Sequence, residues 1–102
     1  MAITLQVLYP ITPDTTFDHD YYKSTHMPLV SEHMGPFLLM VQASRGLAGG
    51  PDAPPDYYAI ATMVFESQEK LSLALEAAGP VLADIPNYTN TRPQMLVGEV
   101  IS

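Results

Sequence analysis

The chain has 102 residues, 47% of them apolar, the size and make-up of one globular domain with one core. Eleven acidic residues against four basic ones give a formal charge of −7, and Lys23, Arg45, Lys70 and Arg92 are too dispersed to form a basic stripe, which excludes nucleic acid and anionic membrane surfaces as partners. With no cysteine, disulfides, thiolate nucleophiles and sulfur-ligated zinc are excluded as well.

At the N-terminus Ile3, Leu5, Val7 and Tyr9 alternate with Thr4 and Gln6, the period-two pattern of a strand. This segment has neither the positive flank nor the cleavage site of a secretory leader, so the default expectation is a cytoplasmic protein. Pro10, Pro13 and Asp14 end the strand. Thr15 or Thr16 is placed to cap a helix predicted from Phe17 to His33, with Asp18 near the positive end of its dipole. Pro28 falls inside that helix, where it deletes the bond to the Ser24 carbonyl and crowds the preceding turn; a kink or break is expected there.

Gly35-Pro36 stops the helix, and Leu38 to Arg45 resumes strand character with Leu39, Val41 and Ala43 on one side. The stretch Gly46 to Pro55 holds three glycines and three prolines without periodicity and reads as a mobile loop, either gating a pocket or connecting strands. Tyr57 to Phe65 is a third strand, and Ser67 caps a second helix reaching Ala78, with Leu71, Leu75 and Ala78 at helical spacing. After Gly79-Pro80, Val81 to Ile85 suits one more turn, Asn87 to Pro93 is turn-like, and Gln94 to Ile101 closes as a fourth strand.

The order βαββαβ predicts a single α+β domain over residues 1–102, with a ferredoxin-like four-stranded antiparallel sheet and both helices on one face. Apolar residues lie on both faces of the strands, while two helices cover only one face. A homodimer through the open sheet faces is therefore expected, the alternative being a monomer whose Gln6, Thr62, Gln94 and Gly98 soften the open face.

Chemistry concentrates in the first helix. Tyr22, His26, Leu29 and His33 are spaced by four, three and four residues, so a regular helix aims them together at the sheet. An imidazole held there is a candidate general acid or base, and Tyr22 a candidate donor to a substrate oxygen; the competing reading is a structural histidine bonded to a neighbouring carbonyl. His19, His26 and His33 repeat at seven residues, but seven residues advance a helix by about 10 Å, too far for two imidazoles to share an ion. No dedicated metal site is expected. The chain has no phosphate-binding glycine loop and no G-x-S-x-G elbow, so neither nucleotide use nor triad hydrolysis is supported and no cofactor is expected. Met40, Met63 and Met95 on strands suit adaptable core packing or a pocket for a flat apolar ligand.

The run Phe17-Asp18 to Tyr21-Tyr22, then His26-Met27-Pro28-Leu29, with Asn87-Tyr88-Thr89-Asn90, Pro93 and Gly98-Glu99-Val100 at the other end, resembles the EthD family over nearly the whole chain. The resemblance implies a dimeric α/β barrel with a pocket between helices and sheet, in a group that includes muconolactone-type isomerases, polyketide cyclases, decarboxylases and cofactor-free oxygenases. It places His26 in the pocket, with Tyr22, His33 and Tyr88 beside it. The leading expectation is cofactor-independent processing of a small cyclic or aromatic metabolite by proton transfer, as isomerase, cyclase or decarboxylase. His26 moves the proton, Tyr22 steadies the oxyanion, and Leu29, His33 and Tyr88 touch the substrate. The absence of Trp weighs against the oxygenase branch. The alternative is a non-catalytic accessory or carrier protein that holds a hydrophobic metabolite for a partner oxygenase.

Overall fold

The expected order of elements is present in the computed structural model, which describes residues 1–102. Strand β1 (Ile3–Pro10) buries every second residue, Ile3, Leu5, Val7 and Tyr9, as its alternation dictates. It pairs antiparallel with both β3 (Tyr57–Phe65) and β4 (Gln94–Glu99), and β3 pairs with β2 (Leu38–Arg45), giving the order β2-β3-β1-β4. Helix α1 (residues 19–34), α2 (Gln68–Glu76) and α3 (Gly79–Asp84) lie on one face. Phe65, Met63, Ala61 and Leu5 from the sheet meet Val30, Met34, Leu71, Ala74 and Val81 from the helices in one core. Burying an aliphatic or aromatic side chain of this kind contributes about 1.5–3 kcal/mol. No helix is long and apolar enough to cross a membrane.

Helix α1 departs from its sequence reading in two ways. Its cap is Asp18, not Thr15 or Thr16: the extended Asp18 backbone presents Oδ1 to the Tyr21 N–H at 3.0 Å. Thr15 Oγ1 is already held by Thr12 and Tyr58, and Thr16 to Asp18 run beside residues 88–90, where the Asp18 N–H donates to the Tyr88 carbonyl at 2.8 Å.

The second departure concerns the irregularity expected at Pro28. It falls one turn earlier, as a π-helical segment, Tyr22–His26, in which the Met27 N–H reaches back five residues to the Tyr22 carbonyl. Pro28 then sits in the first turn of the regular segment Met27–Met34, where a missing N–H costs little. The wide turn also re-phases the helix. Tyr22, His26, Val30 and Met34 form the buried row, while Leu29 is only partly buried and His33 lies at the flank.

In β2 the side expected to carry Leu39 is interrupted. The register shifts between Leu38 and Met40, which leaves Leu39 exposed while Val41 and Ala43 oppose Met63 and Ala61. The Gly46 to Pro55 loop contains a small turn, with the Gly49 N–H donating to the Ala53 carbonyl. Gly46 is required at its start, because a Cβ there would stand 2.0 Å from the Tyr57 carbonyl oxygen.

The face of the sheet away from the helices is mixed. Leu8, Ile60, Val64, Met40 and Leu96 share it with Gln6 and Thr62, whose side chains hydrogen-bond at 3.3 Å. Strand β4 is bare on both sides: Met95 is 53% exposed and Leu96 57%.

Candidate functional site

Three elements converge at the end of β1. The π-turn of α1 carries Tyr22 and His26, whose rings stack at 5.4 Å with 16° between their planes. The last residue of α3 is Asp84, and the 3₁₀ turn Ile85–Asn87 that follows delivers Asn87 and Tyr88. The rings of Tyr9, Phe17, Tyr22 and Tyr88 meet largely edge to face and fix one another's positions.

Within this aromatic cluster runs a chain of hydrogen bonds. His26 Nδ1 lies 3.0 Å from Asp84 Oδ2, and His26 Nε2 lies 3.2 Å from the Tyr88 hydroxyl. The Tyr88 hydroxyl is 2.8 Å from that of Tyr9. A carboxylate can only accept, so Nδ1 carries the hydrogen and donates to Asp84. The Nε2 lone pair then accepts from Tyr88, and Tyr88 in turn accepts from Tyr9. Asp84 Oδ1 also accepts from the Tyr21 hydroxyl at 2.6 Å and from Asn87 Nδ2 at 3.0 Å.

Burial pushes the His26 pKa below its ordinary value, against the hydrogen bond and charge of Asp84, which pull it up. The neutral base form is the resting state at neutral pH. For Asp84 burial acts upward, but hydrogen bonds from Tyr21, Asn87 and His26 outweigh it and hold the carboxyl below the usual carboxylate range. Burial raises the Tyr9, Tyr22 and Tyr88 hydroxyls, so all three stay protonated. An anion at the C-terminal end of a helix is disfavoured by the helix dipole, and the three donors around Asp84 offset that cost.

His26, Tyr22 and Tyr9 border a cavity of about 40 Å³ between helices and sheet, whose other walls are apolar, among them Val7, Val30, Met63 and Val81. On the far side of Tyr22 an open cleft of about 730 Å³ separates α1 from β2, with Lys23, Gln42, Ser44 and Arg45 among its walls. No three His, Asp or Glu side chains cluster as metal ligands.

Of the residues singled out in the sequence, the structure brings Tyr22, His26 and Tyr88 together. Leu29 lines none of the cavities. His33 points elsewhere, its Nε2 4.0 Å from exposed Glu32. Asp84, Tyr9 and Tyr21 were not singled out. For Asp84 a signal existed: it is an acidic residue between Val81, Leu82 and Ile85, in a turn otherwise apolar enough to be buried.

A family model described as EthD domain matches residues 11–92. No match is found among curated proteins. Among solved structures, an EthD-like protein from Ralstonia eutropha JMP134 is 35% identical with a TM-score of 0.89, the match covering 99% of this chain and 93% of that one. SnoaB, a cofactor-independent oxygenase from Streptomyces nogalater, shares the fold at 10% identity and a TM-score of 0.66 over 99% of this chain and 93% of its own. A dimeric ferredoxin-like protein of unknown function from Thermobifida fusca YX does so at 10% identity and 0.66 over 98% and 92%. The family model over most of the chain and the close match to the Ralstonia protein establish that this chain belongs to the EthD family.

Proposed function

We propose that the chain catalyses proton transfer on a small cyclic or aromatic metabolite without a cofactor, in the manner of an isomerase, cyclase or decarboxylase. One observation carries this reading: a buried Asp84–His26–Tyr88–Tyr9 hydrogen-bond chain with a neutral imidazole in it, ending at the wall of an apolar cavity. A carrier needs shape and apolar walls, but not an imidazole oriented by a carboxylate.

The chain operates as a relay. A ligand C–H proton passes to the Tyr9 oxygen as the Tyr9 proton moves to Tyr88 and the Tyr88 proton to His26 Nε2. The imidazolium so formed faces the Asp84 carboxylate at 3.0 Å, and the enolate left on the ligand takes a hydrogen bond from Tyr22. Return of the proton to another carbon completes an isomerisation, and the direction of the relay is reversible.

The same reading includes a homodimer formed through the open sheet faces. Bare β4, with Met40 and Leu96 exposed beside Leu8 and Ile60, supports it, as does the dimeric state named for the Thermobifida fold neighbour.

The test is deuterium exchange into ring ketones, lactones and phenols, followed by proton NMR in D₂O, for wild type and His26→Gln. Wild type exchanges a subset of these compounds and the variant does not. Equal exchange by both proteins overturns the reading, and binding without exchange in wild type replaces it with the carrier function.

A further inference from the structure

We infer that the ligand of the cavity is electrically neutral and presents one hydrogen-bond-accepting oxygen, as in a cyclic or aryl ketone, a lactone or a quinone, to the Tyr22 hydroxyl. This deepens the proposed function and rests on its placing the ligand between α1 and the sheet.

The hydroxyl and imidazole hydrogens of the site are committed to partners within it, with one exception. The Nδ1 hydrogen of His26 is committed to Asp84, the Tyr88 hydrogen to His26 and the Tyr9 hydrogen to Tyr88. The Tyr22 hydroxyl is the exception. Tyr22 is 5% exposed and lines the cavity, and its oxygen is the one buried side-chain polar atom of the protein that makes no hydrogen bond of good geometry, although the Tyr9 hydroxyl is close enough to act on it. A buried hydroxyl without a partner is costly, and in native structures it calls for an explanation. One free donor calls for one acceptor.

The charge around the cavity disfavours an anion. None of the four basic residues lines the cavity; Lys23 and Arg45 line the open cleft between α1 and β2, which Tyr22 and Met27 also border. The one charged group beside the site is the Asp84 carboxylate behind His26. A carboxylic acid in this place is an unpaired anion in an apolar chamber next to another anion, penalised by both desolvation and repulsion. A neutral carbonyl has neither penalty.

Entry follows from the walls. A cavity of about 40 Å³ is smaller than the roughly 150 Å³ that admits benzene. Leu75, Leu82 and Met95 line it, yet they are 43%, 46% and 53% exposed. They form its mouth between the α2–α3 layer and β4, and unbranched Met95 can swing clear.

Titration calorimetry with acetophenone, benzoate and toluene, which share one ring, tests the inference on wild type and Tyr22→Phe. In wild type acetophenone binds and benzoate binds at least about tenfold more weakly, since one hydrogen bond lost or a charge left unpaired is worth that much or more. In Tyr22→Phe acetophenone weakens by about tenfold while toluene is unchanged or tighter. Benzoate binding as tightly as acetophenone overturns the inference on wild type alone, without reliance on any variant. Unchanged acetophenone affinity in a folded Tyr22→Phe, or no binding of acetophenone by wild type, overturns it too. Binding is read here without turnover, so these ratios can hold while deuterium exchange fails, which sinks the proton-transfer reading and leaves the ligand class standing.

Discussion

Replacing Asp84 by Asn keeps the shape of the side chain and removes the charge that orients His26. The carboxylate accepts three hydrogen bonds, from Tyr21, Asn87 and His26. A bond to a charged acceptor is worth about 1.5–3 kcal/mol and one to a neutral acceptor about 0.5–1.5, so the three together lose about 3 kcal/mol. Relief from burying a carboxylate returns part of this, for a net cost of about 1–2 kcal/mol, measured by urea denaturation at neutral pH. An Asn amide turned toward Nδ1 also favours the opposite tautomer, with the hydrogen on Nε2, so the imidazole can no longer accept from Tyr88. Turnover then falls by about 10²–10⁴, the usual contribution of general acid–base catalysis.

The pH dependence of that stability difference has a definite sign. The folded His26 pKa lies below the unfolded value of about 6.5, so stability falls as pH drops from there to the folded pKa. Asp84 holds the His26 pKa up, so the variant goes on losing stability to lower pH than wild type. The folded Asp84 pKa is itself depressed; its contribution is complete above the unfolded value of about 3.9 and disappears as pH falls through the folded pKa. The gap between the proteins therefore widens below the folded pKa of wild-type His26 and closes again in strong acid. A gap that stays constant over this range, with turnover unchanged, refutes the coupling of Asp84 to His26.

Further substitutions probe the same chain. Tyr88→Phe leaves His26 Nε2 and the Tyr9 hydroxyl without their partner; it costs about 1–3 kcal/mol by denaturation and stops exchange even though Tyr88 lies outside the cavity. Tyr22→Phe removes a buried hydroxyl that nothing satisfies, and its ligand-free melting temperature is equal to or above that of wild type, by about 4–8 °C for each kcal/mol gained. Leu96→Arg places a charge on the open sheet face; light scattering shows a monomer where wild type gives a dimer, and a dimer unaffected by the change moves the interface elsewhere.

Much of the fold was legible because its signals are local. The alternation of Ile3, Leu5, Val7 and Tyr9 is a period-two pattern that holds whatever the strand pairs with, and Ser67 does cap α2, accepting from the Lys70 N–H at 3.2 Å. The phase of α1 was not legible in this way. A regular period aims Leu29 and His33 inward, but one residue taken up by the π-turn replaces them with Val30 and Met34, and no propensity marks that turn apart from Pro28 downstream. Bulging at Leu39 hides the inward side of β2 for a similar reason.

Spacing alone showed the site only as far as one helix, and Tyr88 was reached through the family resemblance. His26 and Tyr22 lie one turn apart, so spacing brings them together, but Asp84 meets His26 across 58 residues and Tyr88 meets Tyr9 across 79. Such partners are set by tertiary packing, and their sequence trace is only a polar residue in an apolar turn. These two distant partners are the observation on which the proposed acid–base role of His26 rests. A structural imidazole is satisfied by a nearby carbonyl and asks nothing more of its surroundings. Here a carboxylate is buried at the unfavourable end of α3 to fix one tautomer, two tyrosines carry the other nitrogen's bond to the cavity wall, and a third hydroxyl is buried without a partner. The carboxylate and the tyrosine chain stabilise the fold through the hydrogen bonds they make, whereas the unpartnered hydroxyl costs stability until an acceptor meets it, and the proposed neutral ligand supplies that acceptor.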